Sequence, residues 1–515
     1  MITFLEETLA KIKEETSALS ELVIILPSKR ACGFLLNHLK SSTDKTFFSP
    51  KISSIEEFIQ EISNLKIIDP TELLFESYKV YLKVIPNQEK DSFEAYSSWA
   101  STLLNDFNEI DRHLISTNSF FNYLGTIKNI NHWGVQNEQT QLVKNYLKFW
   151  NSLPSFYDLL RTELIHKNQG YQGLIYREAA ENIEYYKSNS SNKTHIFIGF
   201  NALNVSEQTI IQELLEVDQT RIYWDIDQFF YNDKIHNSSY FIRKYMSTWS
   251  FFKSNPIAYI SNNYSSHKNI DIIEAQKNIS QVKYIGDLLS KLNISELNQT
   301  AVVLADENLL IPLLHSIPKN VEKVNITMGI SLKQFPITDF FILLITLHNS
   351  ATEQYHFKDI VTILNHPITS KIYPDSSSII ERITANNLTY LSIDKLLALS
   401  SDKERPPLRL LFSSWNNNSA RGLSVCLEII DFFKNTNSLS IERAALYQVF
   451  NAFKKIEALN NKFEHFTSVK IFQQLFSEII NTTTIDYQGD AYNGLQIMGV
   501  LETRVLDFKN KIVAS

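Results

Sequence analysis

Short apolar runs recur along the chain and predict the buried strands of parallel sheets. The first is Leu22–Leu26, which is followed by Pro27-Ser28 and then by a helical pattern. A continuous apolar run of this length suits a strand that is covered on both faces. Further strands are predicted at 195–199, 221–225, 269–274, 300–304, 494–498 and 511–514. Strands that alternate with helices indicate the α/β class.

Two long stretches have a helical pattern instead. In the stretch 69–190, Asp69-Pro70 supplies an N-cap and a first-turn proline. The stretch from about Pro336 to Thr484 is the second. We therefore predict two parallel-sheet domains, each with a helical insertion. The predicted segments are 1–68 with 191–265 (first domain), 69–190 (its insertion), 266–335 with 485–515 (second domain) and 336–484 (its insertion).

Composition narrows the classes of function. The chain has 515 residues, of which 44% are hydrophobic and 20% charged, so it can bury a core. Cys32 and Cys426 are too far apart in sequence to indicate a zinc site or a disulfide framework. The N-terminus is no signal peptide, and the apolar stretch Phe340–Leu347 is too short to span a bilayer. We expect a cytoplasmic protein with no membrane partner.

Two elements of an ATP-driven motor are missing from the sequence. No glycine is followed by lysine, so the chain has no Gly-Lys-Ser/Thr phosphate loop. The strand at 195–198 ends in Gly199-Phe200-Asn201, where a motor would need carboxylates to hold Mg²⁺. ATP hydrolysis by this chain is therefore not expected.

Five motifs, in this order along the chain, resemble the AddB-type subunits of bacterial helicase–nucleases, especially the Bacteroidetes form. They are Val23–Arg30, Ile196–Leu203, Tyr223–Asp227, Asn325–Gly329 and Leu501–Phe508. The resemblance implies two RecA-like domains on the UvrD-like helicase plan. In active helicases of that plan, the last motif carries a Lys-Gly-Leu-Glu signature, which reads Leu-Glu-Thr-Arg here.

The resemblance also implies a function. The chain is expected to be the inactive helicase-like part of a subunit in DNA double-strand-break repair and recombination. It would guide DNA to a PD-(D/E)XK exonuclease domain and dock an AddA-type helicase–nuclease partner. No cofactor is expected in this chain, and Mg²⁺ is expected for the nuclease domain. The apolar run Ile512–Ala514 suggests a second domain cut short, so we expect the nuclease motif to lie beyond Ser515.

Two clusters are candidates for contact with nucleic acid. Ser28, Lys29 and Arg30 start a helix after a buried strand, where N–H groups and cations can hold a phosphate. The alternative is an ordinary solvated helix start. Thr503 and Arg504 form the second cluster, in which Arg504 could contact a phosphate or pair with a nearby carboxylate. Asn201, at a strand end, completes the predicted nucleic-acid-binding set.

Other candidates have plainer explanations. Asp225 and Asp227, two apart at a strand end, could bind Mg²⁺, but a capping role is the stronger interpretation. Asp111 belongs to an acidic helical stretch that is more typical of ion pairs than of acid–base catalysis. The tryptophans at 99, 133, 150 and 224 could stack bases, but they are interpreted mainly as core.

One alternative function remains open. The chain could be a non-catalytic scaffold for protein interactions that never contacts DNA. Its net charge of −7 gives no support to extensive nucleic-acid binding, although a local basic groove is compatible with that total.

Overall fold

The computed structural model describes residues 2–515 apart from 17, 42–47, 87–89, 132–140, 191–192, 218–219, 258–260, 350–353, 435–439, 464–467, 487–491 and 493. The chain is of the α/β class and forms two compact units. Unit 1 comprises Met1–Lys90, Trp99–Met328 and Tyr487–Ser515, and unit 2 comprises Asp91–Ser98 and Gly329–Asp486. The division into four segments stays a prediction.

The strands are, in chain order, β1 Leu22–Leu26, β2 Lys51–Ser54, β3 Lys66–Ile67, β4 Gln169–Gly170, β5 Thr194–Ile198, β6 Arg221–Tyr223, β7 Thr300–Leu304, β8 Val324–Ile326, β9 Ile330–Ser331, β10 Tyr355–His356, β11 Tyr390–Leu391, β12 Thr484–Ile485, β13 Leu495–Gly499 and β14 Asn510–Ala514.

The α-helices are, in chain order, α1 Phe4–Glu15, α2 Lys29–Ser41, α3 Ile55–Ser63, α4 Pro70–Val84, α5 Phe93–Arg112, α6 Thr117–Asn131, α7 Gln141–His166, α8 Gln172–Glu181, α9 Ile183–Asn189, α10 Val205–Leu215, α11 Gln228–Asn232, α12 Tyr240–Thr248, α13 Asn278–Ser290, α14 Ile294–Leu297, α15 Leu310–Leu314, α16 Pro336–Asn349, α17 Phe357–Leu364, α18 Pro367–Ile372, α19 Ser376–Ala385, α20 Ile393–Ala398, α21 Arg405–Phe412, α22 Ser419–Lys434, α23 Ser440–Lys462 and α24 Val469–Thr482.

The first sheet of unit 1 has the order β2-β1-β5-β6, and all of its pairings are parallel. Every residue of β1 is buried, because helices cover both faces of the sheet. Val23 and Ile25 face one core, whereas Ile24 and Leu26 face the other, as the two-residue period of a strand requires. Trp224, interpreted from the sequence as a core residue, is fully buried.

The second sheet of unit 1 has the order β14-β7-β13-β8 and is also entirely parallel. The predicted strands at 300–304, 494–498 and 511–514 are confirmed as β7, β13 and β14. The α/β class with parallel sheets is thus confirmed.

Helix starts follow the local sequence signals. Ser54 and Glu57 form a reciprocal capping box at α3, and Asn204 and Glu207 do the same at α10. The Asp69 side chain accepts hydrogen bonds from two backbone N–H groups at the start of α4, with Pro70 in the first turn. The predicted N-cap at Asp69 is confirmed.

One strand prediction is wrong. Residues 269–274 form no ladder, and the side chains of Ile270 and Ile272 are 74% and 96% exposed. Their alternating apolar pattern suits a strand, but strand formation also needs a neighbouring ladder, which the described structure does not provide.

The helices between β3 and β5 enclose a buried polar cluster. Asp111 is fully buried, and its carboxylate accepts hydrogen bonds from Arg177 Nε at 2.6 Å and from the hydroxyl groups of Tyr157 and Tyr171. A buried carboxylate needs such compensation. The sequence predicted a solvated helix face with local ion pairs here. That prediction is wrong for Asp111, because its ion pair with Arg177 lies inside the fold.

Unit 2 is helical, with β9 paired to β12 and β10 paired to β11. The apolar stretch around Phe340 and Phe341 forms α16, whose two phenylalanines are fully buried. Glu404 accepts hydrogen bonds from Tyr373 Oη at 2.7 Å and from Arg382 Nη2 at 2.9 Å. Burial opposes ionisation of Glu404, but these donors outweigh it and hold the pKa of that carboxyl far below its usual range.

Candidate functional site at the carboxyl edge of the first sheet

The carboxyl ends of parallel strands meet at one edge of a sheet, and ligands of open α/β sheets bind there. In the first sheet this edge consists of the residues that follow β1, β2, β5 and β6. Only Pro27 and Ser28 separate β1 from α2, and Gly199 follows β5 directly. All six residues predicted to contact nucleic acid lie at this edge or in the segment that packs on it.

A segment from the second sheet covers part of this edge. Residues 500–508, which follow β13, are called the bridging segment below. Its Val505 and Leu506 are buried in the same apolar core as Leu26 and Ile198. Gly199 has φ +74°, and a Cβ atom at this position would lie 2.4 Å from Cγ2 of Val505. The first sheet and the bridging segment are therefore in direct contact.

Backbone conformation at the bridging segment is unusual. Val505 has φ +66°, in the left-handed region that β-branched residues rarely adopt. The burial of its side chain against Gly199 holds this conformation in place. Helix α1 also contacts the bridging segment, since the backbone N–H of Phe4 donates to Asp507 Oδ2 at 2.9 Å.

Ser28 and Lys29 make contacts within the first sheet and its helices. The Ser28 hydroxyl accepts a hydrogen bond from the Ala31 N–H at 3.2 Å. The Lys29 ammonium forms an ion pair with Glu57 at 2.9 Å, and this contact raises the pKa of Lys29. Lys29 is exposed and Ser28 is partly exposed, and each side chain already has a partner within the chain.

Arg30 points to the second sheet. Its Nη2 donates to Gln496 Oε1 at 2.8 Å, and Gln496 also accepts from Asn325 Nδ2 at 2.7 Å. Nε and Nη1 are buried and have no hydrogen-bond partner among the described residues. Burial lowers the pKa of Arg30 to about 10, against the opposing effect of Glu502. Arg30 links the two sheets instead of extending into solvent.

Arg504 is the exposed cation of the bridging segment. No hydrogen bond or ion pair of its side chain occurs within the described residues, although its charge acts on nearby Glu207. Thr503 donates to the Val500 carbonyl at 2.7 Å, and Asn201 is exposed two residues after Gly199. The contact between Gly199 and Val505 thus brings the segments that carry Asn201 and Arg504 together.

The aspartates at the end of β6 have different environments. Asp227 caps α11 and accepts from the N–H groups of Phe229, Asn263 and Tyr264 at 2.7–2.9 Å. Partial burial opposes ionisation, but these donors lower the pKa of Asp227. Desolvation and nearby Asp507 raise the pKa of Asp225 to about 6. The capping interpretation of Asp227 is confirmed.

Metal ligands are not assembled in the described part of the chain. Among those residues, no group of three or more His, Cys, Asp or Glu side chains is arranged to hold a metal ion. Nor is any helix in the described ranges both long enough and apolar enough to cross a bilayer.

The sequence analysis did not single out Gln496, and it quoted Asn325 and Val505 only as members of motifs. These residues determine where Arg30 and the bridging segment lie. Gln496 is 466 positions from Arg30, and no local pattern signals such a contact. Of the tryptophans considered for stacking, Trp133 lies outside the described residues.

No protein-family model matches the chain, and no curated protein matches it.

Proposed function

We propose that this chain is a helicase-like scaffold without motor activity, belonging to an AddB-type subunit of a DNA repair helicase–nuclease. Its two parallel sheets would correspond to two RecA-like domains on the UvrD-like plan, each with a helical insertion. It would guide a DNA strand toward a PD-(D/E)XK nuclease domain and dock an AddA-type helicase partner. The motif resemblance motivates the proposal, and the geometry at the carboxyl edge supports its passive character.

The observation that carries the proposal is the bridging segment. In an ATP-driven motor, the two sheets must open and close around the nucleotide. Here Val505 and Leu506 extend from the second sheet into the core of the first. Exposing two such side chains would cost about 3–6 kcal/mol. A connection of this strength supports a fixed scaffold and disfavours a cycling motor.

The loop after β1 supports the same conclusion. A phosphate loop needs several residues with glycine-like freedom to wrap around a triphosphate. Pro27 and Ser28 are the whole connection between β1 and α2. Such a short connection, with the Ser28 hydroxyl already accepting from Ala31, leaves no backbone cradle for a nucleotide.

Arg504 gives the most direct test of contact with DNA. Replacing an exposed cation that contacts a phosphate weakens binding and lowers its salt dependence by about one unit of slope. We expect Arg504→Ala to weaken binding of single-stranded DNA several-fold and to reduce that slope, measured by fluorescence anisotropy. Arg221→Ala is the matched control, because Arg221 is also exposed but lies at the opposite end of its strand. Equal affinities for both variants and the parent would contradict a role for this edge.

A second candidate is a protein-interaction scaffold without DNA contact. It is favoured by the contacts of Lys29 and Arg30, whose side chains bind Glu57 and Gln496 in place of an external anion. A chain that binds an AddA-type helicase but no DNA at low salt would support this candidate.

A further inference from the structure

An aromatic and basic region follows β6 in a chain that is acidic overall. The segment 227–268 contains five Lys or Arg residues and two Asp residues, whereas the whole chain has a net charge of −7. The same segment is rich in phenylalanine and tyrosine. Positive charge interleaved with aromatic rings is the composition of surfaces that bind single-stranded nucleic acid.

Three rings of this region pack together at the surface. Phe229, Phe230 and Tyr264 are called the aromatic platform. The ring centroids of Phe229 and Tyr264 are 4.8 Å apart with an interplanar angle of 35°, and those of Phe230 and Tyr264 are 4.4 Å apart. Phe229 is 45% exposed and Tyr264 is 48% exposed. The rings therefore cover one another in part and leave apolar ring surface open to solvent.

Asp227 holds the platform together. Its Oδ1 accepts from the N–H of Phe229 at 2.9 Å, and its Oδ2 accepts from the N–H of Tyr264 at 2.9 Å. One carboxylate thus fixes the backbone at two of the three rings. Arg243 fixes the neighbouring loop, because its Nη1 donates to the carbonyls of Phe230 and Asp233, each at 2.9 Å. A platform that is ordered in advance loses little entropy when a ligand binds.

One lysine contacts the platform, and two more are close to it in sequence. The Lys268 ammonium lies 5.0 Å from the centroid of the Tyr264 ring and donates to the backbone carbonyls of Asn263, Tyr264 and Ser266. Lys234 and Lys244 are exposed, and neither forms an ion pair within the described residues. A ligand with flat apolar faces and regularly spaced negative charges matches both features. A polyanion with stacked bases has that chemistry, whereas an uncharged apolar peptide would leave the cations unused.

We propose that the aromatic platform stacks the bases of single-stranded nucleic acid while the neighbouring lysines contact its phosphates. The inference rests on the proposed function, since it assigns a second contact to the strand that the carboxyl edge would guide. The platform follows β6, which neighbours β5 in the sheet, so it lies farther along the same edge. Duplex DNA, whose bases are already stacked and paired, would bind less tightly.

The test is binding of a fluorescein-labelled oligothymidylate of about 16 nucleotides to the whole chain by anisotropy at low salt. Loss of base stacking weakens binding substantially, so we expect Phe229→Ala with Tyr264→Ala to reduce affinity about 10- to 100-fold. Replacing both residues by leucine keeps apolar packing but removes the π-faces, and it should weaken binding too. The exchange Phe229→Tyr with Tyr264→Phe keeps the rings and should preserve affinity.

Tyr185→Ala is the matched control, because Tyr185 is 75% exposed on α9, outside the platform. Unchanged affinity in a folded leucine variant would overturn the platform inference. If Arg504→Ala nevertheless weakens binding, the proposed function stands without the platform. If the unaltered chain binds no oligothymidylate, both proposals are overturned. Binding of a protein partner that is lost in the leucine variant, while oligonucleotide affinity stays unchanged, would reassign the platform to protein docking.

Discussion

At the scale of single residues, Asp111 shows how hydrogen-bond donors offset the desolvation of a buried carboxylate. Its carboxylate is the shared partner of Arg177, Tyr157 and Tyr171, and Arg177 also donates to the Ile115 carbonyl at 2.8 Å. The buried carboxylate therefore accepts hydrogen bonds from one guanidinium and two hydroxyl groups. Removing one member of such a cluster leaves a buried charge without compensation.

We predict that Asp111→Ala lowers the free energy of unfolding by about 3–5 kcal/mol, because it removes the buried counter-charge of Arg177 and the acceptor of two tyrosine hydroxyls. Urea unfolding followed by circular dichroism measures the change. Glu109→Ala is the control, since Glu109 is an exposed residue on the same helix that pairs with Arg112. A loss no larger than that of the control would show that the cluster is not needed for stability.

His348 makes unit 2 sensitive to acid. Its Nε2 donates to the Leu411 carbonyl at 2.9 Å, and its Nδ1 accepts from Tyr355 Oη at 3.2 Å, so the neutral ring is fully satisfied. Burial lowers the pKa of His348 to about 4. An unfolded histidine titrates near 6.5. The stabilisation that neutral His348 provides is therefore fully present above about pH 6.5 and is lost as the pH falls toward 4.

We predict that His348 alone accounts for a loss of about 2 kcal/mol in unfolding free energy between pH 7 and pH 5. Urea unfolding of the parent and of His348→Gln at both pH values measures this. The variant cannot be protonated at this position, so its stability should change less with pH. Parallel pH profiles for the two proteins would contradict the assignment.

The sequence predicted some residue roles and not others, for a physical reason. The cap at Asp69 depends on neighbours within three positions, so local spacing was enough to predict it. The partners of Arg30 and Asp111 lie far away in sequence. Sequence alone therefore identified them as polar residues of interest but not as internal links.

At the scale of elements, the contact between Gly199 and Val505 joins the first sheet to the bridging segment. Gly199 combines a left-handed backbone with a site where a Cβ atom would overlap the Val505 side chain. Only glycine meets both conditions without strain.

We predict that Gly199→Ala destabilises the chain by about 2–4 kcal/mol, the sum of conformational strain and overpacking. In a Val505→Ala background only the Cβ of residue 505 remains, at 3.2 Å, so most of the overlap is relieved and the same substitution should cost little more than the conformational part. Gly125→Ala is the control, because its Cβ would make an ordinary contact at 3.6 Å. Urea unfolding of the four-member cycle measures the coupling. Additive changes in the free energy of unfolding would mean that the two residues are not in steric contact.

Strand prediction succeeded where burial on both faces left a continuous apolar run. The runs at 22–26 and 300–304 coincide with β1 and β7. The edge strands β2 and β8 were missed, because their short sequences, Lys51–Ser54 and Val324–Ile326, are partly polar. At 269–274 a strand was predicted but does not form, because an alternating apolar pattern does not supply a neighbouring strand to pair with.

At the scale of the whole molecule, the two sheets of unit 1 are linked by apolar packing and by two hydrogen bonds. Apolar burial of Val505 and Leu506, the hydrogen bond between Arg30 and Gln496, and the bond from Phe4 to Asp507 all join them. Such redundancy suits a scaffold that holds one geometry. The α/β class and its parallel strands were predictable from the sequence, but these links were not, because each joins residues hundreds of positions apart.

The central claim is that the chain contacts DNA passively, and one measurement tests it most directly. Binding of labelled single-stranded DNA is followed by anisotropy across a salt series, with and without ATP and Mg²⁺. We predict that binding weakens as the salt concentration rises, because binding releases counterions from the phosphates. We also predict that ATP and Mg²⁺ leave the affinity unchanged. Affinity that changes with ATP would contradict the passive scaffold. No binding at low salt would contradict DNA guidance and favour the protein-interaction scaffold.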